Sequence, residues 1–450
     1  MKRWLSLITG VAFFLVMSGT AMAVVDMNAA ANPVNFANEI DVDTSGGTTL
    51  TSGGLLEATV ELGFGMSAEA QRYARFDLSQ DAQFDAAPNL TSAANITSSV
   101  ADGGAGESYV IFQVTANEAV AASNSLTLGG SNVVAFNKSN VTISYAQYET
   151  AGDAVAQTSA LENVSASYIS WVQAMKVSAG TTTSDLIDVT QGSTYFDGST
   201  GDDDTDIGLI EVGAANQTAA GGNIYWTDGA LLASGDLLAA NSVLTVSGDF
   251  SAAAANGVTL SIGGGTDPET LNGSEATFLV PAANLTTAGN FTINYQVTGT
   301  DPIAQGPITA SISYDTEANA VISDQDLGTL TVLEKNGDSK VVLNIPRPDG
   351  MDAAFIRITN ASAADGTVFG RLYAQDGTEL WSGTLNDNLA GHATMVISPS
   401  DWESLTGLST WSGRSRLVVE GEVPNLEVLG LIRTGGVLTN MSPSAPASNE

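Results

Sequence analysis

Apolar and polar residues follow one another in short runs along most of this chain, and the runs are rich in Val, Ile, Thr, Tyr and Phe. Residues 58–64, 109–115, 141–148, 243–246, 257–262, 277–280, 291–298, 308–314 and 330–333 read as strands with one buried face, because side chains alternate sides along an extended backbone. Clusters of Gly, Asn, Asp, Ser and Pro separate the runs, and helical periodicity is scarce. Strands of this length and spacing predict antiparallel sheets stacked face to face and not βα units. The expected fold class is all-β: tandem antiparallel β-sandwiches, Ig-like or jelly-roll-like, with a short helix in the last module.

The pattern is sharpest towards the C-terminus. Residues 340–345 alternate into Pro346-Arg347-Pro348, residues 355–360 form a second strand, and 368–374 meet 378–385 across Gln375-Asp376-Gly377. Asp-Gly between two such runs signals a hairpin, since Gly adopts positive φ without strain. The segment from Ser398 to Glu403 predicts a short helix with Ser400 and Glu403 as a capping box. Residues 414–420 and 426–433 supply the closing strands.

Two earlier stretches look like weak copies of each other. Phe76-Asp77-Leu78-Ser79 parallels Leu244-Thr245-Val246-Ser247, and Tyr109-Val110-Ile111-Phe112 parallels Thr277-Phe278-Leu279-Val280, in the same order and at similar spacing. That order favours duplication, although Ala-, Ser- and Thr-rich sequence matches itself by chance. The expected organisation is a signal peptide over 1–23, an acidic sandwich over 24–180, a very acidic sandwich over 181–335 that is a candidate repeat of the first, a C-terminal β module over 336–441, and a disordered tail over 442–450. The signal rests on cationic Lys2-Arg3, the apolar run 5–17 and the small-x-small Ala21-Met22-Ala23, which place the mature start at Val24. No later stretch is apolar and long enough to span a bilayer as a helix, so a soluble or peripheral chain is expected.

Charge changes the picture more than length does. The 450 residues carry a formal net charge of −35 and no cysteine, so an exported chain of this kind draws its stability from core size, bound ions or assembly. Residues 24–176 hold 16 acids and four bases, residues 178–333 hold 19 acids and neither Lys nor Arg, and from Lys335 onward eight bases face 13 acids. Such a surface repels nucleic acid and anionic lipid, and it invites divalent cations. Solubility in salty water is the plainer reading of the same charge.

Catalytic constellations are mostly excluded by counting. There is no Cys, the single His392 sits in a Gly-His-Ala turn, and no Gly-x-Ser-x-Gly elbow joins a strand to a helix. Paired carboxylates are too plentiful to mark a glycosidase, and one His with no Cys argues against zinc, copper and haem. The remaining chemical signal is oxygen-rich loops. Asp41-Val42-Asp43-Thr44-Ser45-Gly46 opens like a calcium loop, with Asp41, Asp43 and Ser45 as ligands, but Ser52 stands where an EF-hand has Glu. Asp197, Asp202, Asp204, Asp206 and Glu211 crowd a second segment, along with Asp203. Calcium is the expected cofactor at both, with solvated acidic loops as the alternative. Without a lipobox, a sorting signal or an apolar tail, noncovalent retention at a surface is expected.

An acidic, Cys-free, Lys-poor exported β-protein rich in Ala, Thr, Ser and Gly resembles a bacterial surface-layer (S-layer) protein of marine gram-negative bacteria and their biofilm matrix. The likeness is compositional over the mature chain and sharpest at Phe355-Ile356-Arg357-Ile358-Thr359-Asn360, Trp411-Ser412-Gly413-Arg414 and the segments 429–433 and 438–442. Surface-layer-homology repeats and glycine-rich calcium nonapeptides are lacking. The resemblance implies a secreted, non-catalytic structural subunit at the cell surface that assembles with itself into a lattice, is joined by calcium and is bound to outer-membrane polysaccharide. A monomeric adhesin or carbohydrate-binding module, and a filament subunit assembling by strand exchange, are the alternatives.

Overall fold

A computed structural model describes residues 24–29, 33–51, 53–79, 81–92, 95–262 and 265–440. The expected signal peptide and tail lie outside the described residues. The chain forms two units, and neither is one continuous stretch: the described residues up to Lys176 join Ala214–Ala239 and Thr316–Ile322, and the other unit takes Val177–Gly213, Ala240–Asp315 and the described residues from Ser323.

The first unit is built on a seven-stranded sheet in the order Ile224–Tyr225, Val34–Ala37, Glu162–Val172, Val141–Tyr148, Gln71–Leu78, Tyr109–Ala116, Ile96–Gly103. Two smaller sheets accompany it, of four strands (Val24–Asp26, Glu57–Glu61, Ser125–Gly129, Asn89–Ser92) and three (Thr48–Leu50, Val133–Ala135, Ala82–Phe84). Alternation along these strands sends Phe36, Phe76, Phe112, Tyr145 and Tyr168 fully inside. Each such ring stabilises the fold by about 1.5–3 kcal/mol through burial alone. The two phenols are not left unpaired: Tyr145 donates to Leu62 O at 3.0 Å and Tyr168 to Leu56 O at 2.8 Å. Burial pushes both hydroxyls well above the ordinary phenol range.

Pairing is not wholly antiparallel. Val34–Ala37 runs parallel to both Glu162–Val172 and Ile224–Tyr225, and Val24–Asp26 runs parallel to Glu57–Glu61. Parallel neighbours need a long crossover, and a sequence pattern read locally does not register partners over 100 residues away.

The second unit stacks strands into two sandwiches. In the first, the four-stranded sheet Val177–Gly180, Asp204–Val212, Gly289–Val297, Ala253–Leu260 accompanies the five-stranded sheet Thr270–Leu271, Glu275–Pro281, Asn241–Ser247, Gly306–Ser313, Gln325–Leu333. The rings of Phe196 and Phe250 meet that of Tyr295 edge-on at 6.0 and 5.4 Å. The C-terminal sandwich pairs Asp338–Pro346, Arg414–Gly421, Gly366–Tyr373 and Glu379–Leu389 in one sheet and Thr394–Ile397, Ala353–Asn360, Leu426–Thr434 and Val437–Asn440 in the other. Its core gathers Ile356, Ile358, Leu372 and Leu417 around Trp402 and Trp411, whose rings lie 5.9 Å apart at 83°. The all-β sandwich architecture is therefore as the alternation predicts.

The two stretches that resemble each other occupy like places. Asp77 faces Tyr109 and Thr245 faces Thr277, each in an antiparallel pair of neighbouring strands, at positions 168 residues apart in both strands. The hairpin at Asp376-Gly377 forms with Gly377 at φ 91°, Ala374 N donating to Thr378 O at 2.8 Å and Thr378 N to Asp376 Oδ1 at 3.0 Å. The helix expected near Ser400 spans Asp401–Thr406, but its capping box does not form, and Ser400 makes no side-chain cap. Asp401 Oδ2 instead accepts Ser398 N and Ser398 Oγ, both at 2.7 Å.

Candidate functional site

The first acidic loop lies in the first unit. Asp43 Oδ1 accepts from Ser45 N (2.8 Å), Ser45 Oγ (2.7 Å) and Gly46 N (3.0 Å). These donors, the Gly46 amide foremost, hold the Asp43 carboxyl below the usual carboxylate range. A Cβ at Gly46 would stand 2.6 Å from Asp43 Oδ2, so a larger residue there would displace that carboxylate. The arrangement is an Asx turn, which by itself accounts for the Asp-x-Ser-Gly spacing. Asp41 is exposed two residues earlier, its N–H donating to Asn319 O at 2.9 Å. Both acids line an open cleft of about 610 Å³ shared with Thr227 and Asn319.

The second acidic segment is spread along the second unit. Asp197 Oδ1 accepts Leu186 N at 3.1 Å and Asp202 N donates to Ser199 O at 3.1 Å, which closes a turn. The chain then enters the strand Asp204–Val212, where Asp204 and Asp206 point outward. Asn294 on the neighbouring strand donates to both, at 2.9 Å to Asp204 Oδ2 and 3.5 Å to Asp206 Oδ1, while Gln296 donates to Asp203 Oδ2 at 3.2 Å. A bulge follows Asp206. Glu211 stands on the same strand but about 16 Å further on, at roughly 3.3 Å per residue. Among the described residues no three His, Cys, Asp or Glu side chains converge as metal ligands. The expected ligands therefore sit as Asp41 near Asp43 with Ser45, and Asp204 near Asp206, with Asp197, Asp202 and Glu211 apart from any such group. His392 is exposed in a turn at φ 60°.

A surface not singled out in the sequence lies on the C-terminal sandwich. Strand register lines up Tyr373 with Arg416, Arg371 with Val418 and Phe369 with Glu420 on one outward face. The Arg416 guanidinium carbon stands 4.7 Å from the Tyr373 ring centroid, and Arg371 pairs with Glu420 at 3.1 Å. Two clefts flank the face. One, of about 300 Å³, is lined by Lys335, Asp338, Phe369, Arg371 and Glu422, and the other, of about 470 Å³, by Leu343, Gln375, Asp376, Arg414 and Arg416. The Tyr373 ring with Arg416 and Arg414 beside it suits a polar ligand bearing negative charge, whereas the first cleft is net acidic, with Glu334, Asp338, Glu420 and Glu422 against Lys335 and Arg371. Only the pairing register brings these residues together, because they come from strands more than 40 residues apart.

The family model of the S-layer protein Slr4 matches residues 59–406. The chain belongs to the S-layer protein Slr4 family. It is accordingly a structural protein of the cell surface, as the resemblance implied. No curated protein matches it, and among the described residues no helix is long and apolar enough to cross a membrane. Similar solved structures include the major pilin subunit BcpA of Bacillus cereus (10% identity, 69% of this chain and 80% of that one, TM-score 0.24). Others are the BSP domain of a biofilm-associated protein (6% identity, 94% and 100%, TM-score 0.19) and domains 5–6 of the S-layer protein SbsC (14% identity, 62% and 96%, TM-score 0.15). At these scores the Slr4-family assignment rests on the sequence match and not on the structural likenesses.

Proposed function

We propose that this Slr4-family chain is a lattice subunit that assembles with copies of itself, enters biofilm matrix, has no catalytic role, and is held at the cell by its C-terminal module binding outer-membrane polysaccharide. Membership of an S-layer family over residues 59–406 carries the reading. The anchoring role is supported by the concentration of bases from Lys335 onward and by the Tyr373–Arg416 face with the cleft lined by Arg414 and Arg416. An anionic sugar chain stacks on aromatic rings and pairs with guanidinium groups, and it would be repelled by the base-free stretch 178–333.

Calcium is the proposed stabiliser. The donors at Asp41, Asp43 and Ser45, and at Asp204 and Asp206, are hard oxygens and fit the ion in kind. In number they give less than the six to eight oxygens that calcium takes. Calcium here is therefore proposed as an ion shared between copies, neutralising carboxylates that each copy leaves open.

Replacing Tyr373→Ala with Arg416→Ala tests the anchoring role. Cells should release the variant at least about tenfold more readily than wild type, equivalent to a loss near 1.4 kcal/mol, while shed material still shows sheets by electron microscopy. Retention equal to wild type refutes the polysaccharide role of this face, and the absence of sheets from wild-type material refutes the lattice.

A further inference from the structure

The other sheet of the C-terminal sandwich has an outward face of a different kind. Register sets Arg357 between Val396 and Leu429, pairs Phe355 with Leu431, and pairs Arg433 with Leu438. Val396 and Leu438 are 54% and 60% exposed, and Phe355, Leu429 and Leu431 are half-buried. The outer face of an antiparallel sandwich sheet is ordinarily polar. Here it is apolar and cationic except for Glu427, exposed opposite Thr359 at one end: among the described residues neither Arg357 nor Arg433 forms an ion pair, and Arg433 rests 5.8 Å from the Phe355 ring centroid.

The same chain carries a face of opposite character. On the sheet of Asp204–Val212 and Gly289–Val297, Asp204, Asp206 and Glu211 are exposed, in register with Gln296, Asn294 and Asn290. No Lys or Arg occurs from residue 178 to 333, so nothing on that sheet neutralises them. A guanidinium in an apolar setting gains most from a carboxylate partner, since desolvation strengthens the attraction.

We propose that the Arg357–Arg433 face docks on the Asp204–Asp206 face of a second copy of this chain. This rests on the lattice-subunit reading and deepens it by naming the contact. The contact is heterologous: each copy offers one face of each kind, so a pair formed this way keeps one of each unused, and the contact repeats instead of stopping at a dimer. Calcium bridging of Asp204 and Asp206 is the competing use of those acids.

Charge reversal in the full chain separates these uses. Arg357→Glu with Arg433→Glu makes both faces negative, and Asp204→Lys with Asp206→Lys makes both positive. In buffered calcium, each variant alone should remain unassembled, by sedimentation and electron microscopy, to at least about tenfold higher concentration than wild type. An equal mixture should assemble again, because every contact then joins opposite signs. Unchanged circular dichroism of each variant shows that folding is not at issue, and rescue in the mixture shows it independently. Variants that assemble singly like wild type overturn the contact and leave the lattice standing. Failure of the Asp pair with normal assembly of the Arg pair overturns it in favour of shared calcium, and variants that fail singly and also when mixed overturn it outright. A wild-type chain that does not assemble at all overturns both readings.

Discussion

Asp43 uses one carboxylate oxygen for three donors, and three further acids accept from a nearby Ser or Thr: Asp249 from Ser251 N and Oγ, Asp376 from Thr378 N, and Asp401 from Ser398 N and Oγ. All four have carboxyls lowered from the ordinary 3.8 by these local hydrogen bonds. A carboxylate whose folded value is depressed contributes stability that is complete above its unfolded value and is lost as pH falls through the folded one. The window is therefore below about pH 4. Between about pH 5 and pH 2, Asp249→Asn with Asp401→Asn should show a smaller fall in melting temperature than wild type at equal salt; an equal fall would mean that these turns contribute nothing to acid sensitivity. Asp-x-Ser-Gly was legible in the sequence as an oxygen-rich turn. Whether its oxygens face inward to amides or outward to an ion was not, because both uses select the same residue types.

At the scale of elements, the helix Asp401–Thr406 places Trp402 at 0% exposure in the C-terminal core. Neither Trp402 Nε1 nor Trp411 Nε1 has a hydrogen-bond partner among the described residues. An unpaired buried N–H costs about 1–3 kcal/mol, which the ring's burial must outweigh. Trp402→Ala should therefore destabilise by about 3–5 kcal/mol in urea titration, whereas Trp402→Phe, which keeps an aromatic ring and removes the unpaired group, should cost clearly less. The reverse order would show that Trp402 is held by more than packing. The helix was legible from Ser400, Asp401 and Trp402, but the missing cap was not: no side chain caps the helix, and Ser398 donates to the Asp401 carboxylate, a contact that depends on the backbone path. The strand Val141–Tyr148 was legible to the residue, although its last four residues, Tyr145 to Tyr148, are buried on both faces. Val437–Asn440 was missed as a strand because all four of its residues are exposed and no alternation marks it. The Tyr373 and Arg357 faces were missed because register, and not spacing along the chain, assembles them.

For the molecule as a whole the dominant quantity is charge. Two carboxylates about 4 Å apart repel by roughly 4 kcal/mol at an effective dielectric near 20, and a few such pairs approach the 5–15 kcal/mol that ordinarily holds a domain together, a range of about that size being general. Chelation should lower the melting temperature and release protein from the cell surface, with calcium restoring both better than sodium at equal ionic strength. Equal restoration by sodium would assign the whole effect to screening and remove the case for specific ions. The discontinuity of the first unit bears on the order of events in synthesis. Its sheet is completed by Ile224–Tyr225 beside Val34–Ala37, and Ala320 bridges to Ile40. From Lys176 to Tyr225 the chain grows by 49 residues, which at about 5–20 residues per second occupy roughly 2–10 s of chain elongation. Throughout that interval the backbone edge at Val34–Ala37 stands open to any strand that reaches it first. A nascent chain in this state offers neighbouring chains a template for mispairing, so this protein has reason to keep its early segments from folding until the late ones are made.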